Sequence, residues 1–337
     1  MASLTAANVL SSHVIQNTSA QDVALSGSTA EFDWLLVADG HGSGSNKYLL
    51  KKLFLENIDW SILLTNPDFY KDDKNEDGNY INELYDKIQK VSRPEAGRSR
   101  SKLVAQGTTL SVVKIYPDRF ECYHIGDSTV KIYESNEKNY NKVMETHDHD
   151  SNHPDMEALT QRTSEAHPCR RNWYHGFTPL SNGIRTKNVL TPHVLNETTV
   201  TMRKSAYITF DDGSVINMTR SLGHIPSTGT IAKAEKNNHA LSLAQQSLTK
   251  TTFQRDSNKS YCVLAATDGV WDMVCDEDDV KFANIISTKG EAATEIATFA
   301  RKRWLQEWNY CFKNLTQKII QSEGNIDDIG VSCAFVQ

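Results

Sequence analysis

Three aspartates lie at the ends of predicted strands, and their side chains are the first candidates for chemistry. Asp39 and Asp268 each end a buried apolar run and are followed directly by glycine, and Asp327 comes just before another such run. Carboxylates gathered at one sheet edge repel each other unless cations neutralise them, and magnesium or manganese binds carboxylate and water oxygens. Each aspartate alone is equally well explained as turn chemistry. Together the three predict a divalent-metal site.

The elements that must position these aspartates are mostly strands. Apolar and β-prone runs predict strands at 8–14, 31–38, 108–116, 119–125, 129–133, 261–267 and 329–336. Apolar residues on one face predict helices at 47–59 and 81–91. They also predict a longer helix, whose face is formed by Ala293, Ile296, Ala297, Ala300, Trp304 and Trp308. Strands at both ends of the sequence indicate one domain whose terminal strands meet in a sheet.

The composition argues against several classes of protein. The 337 residues carry 36 Lys and Arg against 42 Asp and Glu, and this net charge of −6 disfavours a nucleic-acid-binding surface. The longest strongly apolar runs, 34–38 and 262–266, are far shorter than the roughly 18 residues of a membrane-spanning helix. Six scattered cysteines without a CxxC pair, and no visible secretory signal, are typical of reduced thiols. We therefore expect no nucleic acid, no membrane, and a cytoplasmic location with the nucleus as the alternative.

Six short blocks follow one another along the sequence. They are VADGHGSG (37–44), GTTLSVV (107–113), HIGDSTVKIY (124–133), MTRSLGH (218–224), AATDGVWD (265–272) and DDIGV (327–331). One block alone is weak, but six in order with fitting strand contexts are specific. From about Asp22 onwards the sequence thus resembles the metal-dependent protein phosphatases, the type 2C serine/threonine phosphatases.

The resemblance implies an α+β fold, with a central sandwich of two antiparallel β-sheets flanked by α-helices in a four-layer αββα arrangement. It implies a single phosphatase-like catalytic domain over residues 1–337, with a variable, flap-like excursion at about 157–210. It also implies two Mn²⁺ or Mg²⁺ ions at one end of the sandwich, with a third, weaker ion in some members.

The residues of this chain that match the family's motifs include the expected ligands of the two main ions. By this resemblance, Asp39 bridges both ions and the Gly40 carbonyl binds one of them. Asp268 and Asp327 complete the coordination of the first ion. Asp22, as the acidic residue of the first strand, is a ligand of the second ion.

Three more residues match positions with a role in the family. Asp272 and Asp148 match positions that hold the third ion, with solvated surface carboxylates as the alternative. His41 lies two residues after Asp39 and is the best-placed general acid for the leaving alkoxide, with a surface or capping histidine as the alternative.

The implied activity is hydrolysis of phosphoserine and phosphothreonine on proteins by a monomer. Two ions can share a water, lower its pKa, present hydroxide to phosphorus and offset charge on the phosphoryl oxygens. The partner is then a phosphorylated protein substrate.

One departure from the family keeps a second function open. The family commonly has an arginine shortly before its first acidic ligand, where it grips the substrate phosphate, but residues 14–21 contain no Arg or Lys. The alternative is therefore a catalytically weak or inactive pseudophosphatase that serves as a protein-binding module. A third hypothesis is another two-metal hydrolase, such as a nucleotide phosphodiesterase, which the acidic balance and the ordered blocks disfavour.

Overall fold

Two antiparallel β-sheets form the centre of the fold. The computed structural model describes residues 7–17, 20–41, 54–70, 107–136, 139–149, 248–274, 278–288, 290–312 and 315–337, together with seven short strands between 186 and 223. The excursion predicted at 157–210 lies outside the described residues, except for some of these short strands. The helix predicted at 81–91 lies outside them as well.

The described elements are numbered in chain order. The strands are β1 (Val9–Ile15), β2 (Asp22–Ser28), β3 (Asp33–His41), β4 (Gly107–Thr108), β5 (Leu110–Ile115), β6 (Arg119–Ile125), β7 (Thr129–Ser135), β8 (Tyr140–Glu145), β9 (Thr186–Asn188), β10 (His193–Leu195), β11 (Thr198–Thr199), β12 (Lys204–Ala206), β13 (Ile208–Thr209), β14 (Val215–Ile216), β15 (Leu222–Gly223), β16 (Thr249–Gln254), β17 (Tyr261–Ala266), β18 (Glu307–Phe312), β19 (Leu315–Ile320) and β20 (Ile329–Val336). The helices are α1 (Trp60–Thr65), α2 (Asp268–Trp271), α3 (Asp278–Thr288) and α4 (Ala292–Leu305), with 3₁₀ turns at Pro67–Phe69 and Glu323–Asn325.

The first sheet joins strands from both ends of the described chain. Its order is β1-β20-β17-β7-β8, and β1 runs antiparallel to β20 with Val9 opposite Phe335 and Ile15 opposite Ile329. The terminal strands therefore meet in one sheet, as the sequence predicted. The second sheet has the order β15-β4-β3-β5-β6-β16, and β2 pairs with β3.

Three separate apolar clusters define four layers. One cluster fills the space between the two sheets, a second lies between the second sheet and the segment 54–70, and a third lies between the first sheet and helices α2 to α4. Strand β3 is buried on both faces, since Trp34 and Leu36 join the helix side while Leu35 and Val37 join the space between the sheets. This confirms the predicted α+β sandwich of two antiparallel sheets flanked by helices.

The predicted helices differ from the observed ones at their ends. Of the helix predicted at 47–59, residues 47–53 lie outside the described residues, 54–56 are helical and 57–59 are not. Asp59 instead caps α1, where its carboxylate accepts a hydrogen bond from Ile62 N at 3.2 Å. The long helix was predicted correctly as far as Trp304, which is buried. Its extension to Trp308 was wrong, because the helix ends at Leu305 and Trp308 pairs with Ile319 in the β18–β19 hairpin.

Gly269 is required by a backbone contact between α2 and the residue before β20. A Cβ built on Gly269 would lie 1.9 Å from the Asp328 carbonyl oxygen. We expect Gly269→Ala to lower the free energy of unfolding by about 3 kcal/mol, because backbone must move to relieve the overlap. Gly324→Ala is the control, since nothing lies within 4 Å of the added Cβ. Urea denaturation measures both variants, and equal midpoints would contradict this role of Gly269.

None of the helices among the described residues is long and apolar enough to cross a bilayer.

Candidate metal centre

The pairing of β2 with β3 brings two buried carboxylates together. Asp22 lies directly opposite Asp39 in the antiparallel register, and the two residues are only 3% and 5% exposed. Side chains opposite each other in a sheet share a face and are close neighbours, so like charges at such positions destabilise the pair. A cation between them would remove this cost. Asp22 was predicted to be the acidic residue of the first strand, but it begins the second strand of the structure, because β1 precedes β2.

The ends of the two sheets meet beside Asp39. Asp268 is buried and follows β17 as the first residue of α2, with Thr267 between them. One ligand atom each from Asp39, His41 and Asp268 lies within 4.8 Å of the others. Residues that are more than 200 positions apart in sequence therefore converge on one point, as a shared metal site requires.

The adjacent aspartates before β20 have different surroundings. Asp328 is 2% exposed, and its carboxylate accepts hydrogen bonds from Asn17 N and, at 2.8 Å, from Gln21 N. It therefore anchors the segment that leads into Asp22. Asp327 is half-buried, and its charge acts on both Asp22 and Asp39. Of the two, Asp327 is the one that the sequence assigned to the metal site.

Burial and mutual repulsion make it costly for the carboxyls of this cluster to carry their charges. Burial raises the pKa of Asp22 well above its ordinary value of 3.8, and the charge of Asp327 raises it further. The pKa of Asp39 is also raised by burial, and then by the charges of Asp22, Asp268 and Asp327. A cation bound among these carboxyls would lower the free-energy cost of ionising them.

The donor atoms fit a hard divalent cation. Asp22 Oδ1 is buried and makes no hydrogen bond, although a buried charged oxygen normally has a partner. The neighbouring donors are carboxylate oxygens, which Mg²⁺ and Mn²⁺ prefer. An ion at this place would give Asp22 Oδ1 a partner and neutralise the repulsion around it.

Asp127 belongs to the same electrostatic cluster, and sequence reasoning missed it. It lies in the turn between β6 and β7, is 8% exposed, and its charge raises the pKa of Asp39. The sequence held a signal, because the Gly126-Asp127 pair lies within one of the six blocks and at a strand end, as Asp39 and Asp268 do. The glycine comes before this aspartate instead of after it.

His41 lies at the edge of the cluster at the end of β3. Its Nε2 is 3.7 Å from Asp39 Oδ2, and its Nδ1 is 3.3 Å from the Asp39 carbonyl oxygen. The imidazole is 27% exposed, whereas the Asp39 side chain is 7% exposed. His41 can therefore contact both the carboxylates and a molecule that approaches from solvent.

The other predicted ligands lie around this centre. Gly40 sits opposite Thr108, and its N–H donates to the Gln21 carbonyl at 3.0 Å. Asp272 lies one helical turn after Asp268, is half-buried, and donates its N–H to the Asp268 carbonyl at 2.8 Å. Asp148 accepts a hydrogen bond from Thr129 Oγ1 at 2.6 Å, beside the turn that carries Asp127. Their roles in binding ions stay predictions.

Comparisons with known proteins agree with this architecture. The chain is similar to a serine-threonine phosphatase 2C from Toxoplasma gondii, with a TM-score of 0.55 and 12% identity, covering 99% of this chain and 96% of that one. It is also similar to a sex determining protein of C. elegans, with a TM-score of 0.52 and 16% identity. That match covers 98% of this chain but 65% of the other, so this chain spans less than two thirds of it. At such identities these likenesses show the fold.

Family membership follows from the sequence. No curated protein matches this chain. The sequence model of the family described as protein phosphatase 2C, however, matches residues 11–308, which include the Asp22, Asp39 and Asp268 positions. The DDIGV block at 327–331 lies beyond that match, and the structure brings it to the same site through the pairing of β20 with β17. This chain therefore belongs to the protein phosphatase 2C family.

Proposed function

We propose that this chain is a Mg²⁺- or Mn²⁺-dependent phosphatase that hydrolyses phosphoserine and phosphothreonine on proteins. The family and the fold support a phosphatase-type function. The observation that carries the finer proposal is the cluster of buried carboxylates, in which Asp22 faces Asp39 across two strands and Asp268 lies beside Asp39. A protein with no use for a cation would gain little from such a costly arrangement.

The aspartates of this cluster could act as ligands of two ions. Asp39 is a neighbour of both Asp22 and Asp268, which suits a bridging ligand, and the Gly40 carbonyl follows it in the chain. Asp268 and Asp327 would complete one ion, and Asp22 would serve the other. Asp272 and Asp148 would hold a third, weaker ion. When bound, the ions would activate water and offset negative charge on the phosphoryl group.

The side chain of His41 suits a general acid. The serine or threonine alkoxide that leaves phosphorus is very basic and needs a proton, and an imidazole can give one near neutral pH. His41 lies beside the proposed centre, with its Nε2 3.7 Å from Asp39 Oδ2. It is also open to solvent on one side, where a phosphorylated side chain would enter.

We expect His41→Gln to lower kcat on a phosphothreonine peptide by about 100-fold, because glutamine cannot supply the proton. The loss should be much smaller with p-nitrophenyl phosphate, whose leaving group is acidic and needs little help. Steady-state rates on the two substrates measure the difference. Equal losses on both would contradict the acid role and point to a purely structural one.

One observation favours the alternative of a binding module without hydrolysis. The segment before Asp22 contains no Arg or Lys between residues 14 and 21. Instead, the Asn17 side-chain amide donates to the Ile326 carbonyl, and the backbone of this segment is held by Asp328. A substrate phosphate would lack a guanidinium contact from this segment, which weakens its binding.

Phosphate release from a phosphothreonine peptide distinguishes the two functions. The assay compares the protein in Mn²⁺, the protein in EDTA, and the Asp268→Asn variant in Mn²⁺. Release that requires the metal and disappears in Asp268→Asn is the result expected for a phosphatase. No release from a folded protein that has bound Mn²⁺ would reject hydrolysis and favour the binding module.

A further inference from the structure

Three buried threonines make the same pair of backbone hydrogen bonds with a neighbouring strand. In each case the threonine N–H donates to a carbonyl, and the threonine Oγ1 accepts the N–H of that same partner residue. The distances are 2.8 and 2.8 Å for Thr109 with Asp39, 3.0 and 2.9 Å for Thr146 with Val130, and 3.0 and 2.9 Å for Thr267 with Gly330. The hydroxyl thus locks two chain segments together.

Thr267 differs from Thr146 in what its hydroxyl proton does. A hydroxyl that accepts an amide N–H still has one proton to donate. Thr267 Oγ1 donates it to Asp22 Oδ2 at 2.7 Å, and Thr267 is fully buried, so water does not compete for this bond. The end of β17, the start of β20 and the start of β2 therefore meet at a single oxygen atom.

This hydrogen bond gives the two oxygens of Asp22 different tasks. Oδ2 is held by Thr267, whereas Oδ1 is buried without a hydrogen bond. The carboxylate cannot rotate freely without losing the contact with Thr267. Its orientation is thereby fixed before any ligand binds, and Oδ1 is the oxygen left for a cation.

Glycine at position 330 leaves room for this arrangement. A Cβ on Gly330 would lie 3.0 Å from Thr267 Cγ2 and 3.2 Å from Asp22 Oδ2. Both contacts are tighter than most Cβ atoms make, so an added methyl group would require Thr267 or Asp22 to shift by a few tenths of an ångström. Gly330 therefore keeps open the space that the hydrogen bond occupies.

We propose that Thr267 is a positioning residue of the metal centre, which holds Asp22 by one oxygen so that the other binds the second divalent ion. The inference rests on the proposed function in so far as the carboxylate cluster binds ions. It adds a residue that touches neither ion nor substrate and acts only through Asp22. Partners of this kind around metal ligands typically change metal affinity 10- to 100-fold.

Isothermal titration calorimetry with Mn²⁺ tests this role without any assay of activity. Thr267→Val keeps the shape and removes the hydroxyl, and we expect it to weaken one Mn²⁺ site about 10- to 100-fold while the other is retained. Thr267→Ser keeps the hydroxyl and should bind Mn²⁺ as the natural protein does. Gly330→Ala keeps Thr267 but crowds its contact with Asp22, so it should weaken the same site even if Thr267→Val does not fold.

Thr146→Val is the matched control for the loss of a buried hydroxyl. It removes the same hydrogen bond from a backbone N–H, 2.9 Å from Val130 N, and Thr146 is 4% exposed. We expect its melting temperature to fall, but by no more than that of Thr267→Val, which also loses the hydrogen bond to Asp22, and we expect no change in Mn²⁺ affinity. A fall in affinity as large as in Thr267→Val would overturn the proposal, because it would trace the effect to general loosening.

The background variant Asp22→Asn separates positioning from other effects. If Thr267 acts through Asp22, Thr267→Val should cause no further loss of Mn²⁺ affinity in this background. Unchanged Mn²⁺ binding by both Thr267→Val and Gly330→Ala would overturn the inference and leave the proposed phosphatase intact. A folded natural protein that binds no Mn²⁺ would overturn both.

Discussion

We expect Asp39→Asn to reduce phosphate release from a phosphothreonine peptide by on the order of 1,000-fold or more, while the protein stays folded. Asp39 faces Asp22 across two strands and lies within 4.8 Å of Asp268 through its ligand atoms. It is thus the residue whose charge both ions would share, and an asparagine amide is a poor bridge between two cations. Initial rates in saturating Mn²⁺ measure the loss.

The thermal stability of the metal-free Asp39→Asn variant should not fall as its activity does. Asp39 is buried among like charges, and removing its charge relieves repulsion in the metal-free protein. We expect the melting temperature in EDTA to stay equal or rise. Asp118→Asn is the control, because that carboxylate is 68% exposed in the turn between β5 and β6 and pairs with Arg119. Substantial activity in Asp39→Asn would remove Asp39 from the proposed centre.

The strands of the sandwich interior were predictable because both of their faces are covered. Strands such as β3 and β17 are therefore continuous apolar runs, which need no alternation to be recognised. Strands β2, β8 and β16 were not predicted, and each lies at an edge of its sheet. On β16, half-buried residues alternate with exposed ones, so its apolar signal is weak.

The metal ligands were predictable in type but not in arrangement. The sequence places Asp39 and Asp268 at strand ends, and the register that sets Asp22 opposite Asp39 depends on long-range pairing that no local pattern reveals. Asp127 was missed because its glycine precedes it. The neighbouring Asp327 and Asp328 look alike in sequence, and each accepts a backbone N–H. Asp328 is the anchoring carboxylate because its donors, Asn17 and Gln21, belong to a distant segment of the chain.

The positioning role of Thr267 was also out of reach of the sequence. A threonine at the end of an apolar run is common, and its hydroxyl matters only because β20 brings Gly330 to it and β2 brings Asp22. Such contacts depend on three segments that are far apart in the chain. The sequence therefore names the groups that do chemistry, whereas the fold decides which groups hold them in place.

After removal of the metal by a chelator, the raised pKa values of the buried aspartates should make this protein less stable as the pH rises. Burial and neighbouring charges raise the pKa of Asp22 and Asp39 above 3.8 in the folded state. The folded protein then binds more protons than the unfolded chain, so these groups make metal-free protein less stable as pH rises from about 4 through their raised pKa values. Bound Mn²⁺ needs the deprotonated carboxylates, so its stabilising effect should grow over the same range.

The measurement is thermal unfolding in Mn²⁺ and in EDTA from about pH 5 to about pH 8. With Mn²⁺ at about 100 times its dissociation constant, we expect each bound ion to add about 4 °C to the gap between the two melting temperatures near pH 8, and this gap should narrow towards pH 5. Asp22→Asn should melt higher than the natural protein in EDTA at pH 8 and should show a smaller gap, because one charge and one ligand are gone. A gap that stays constant with pH would mean that these carboxyls neither repel each other nor bind the ion, and the proposed centre would have to lie elsewhere.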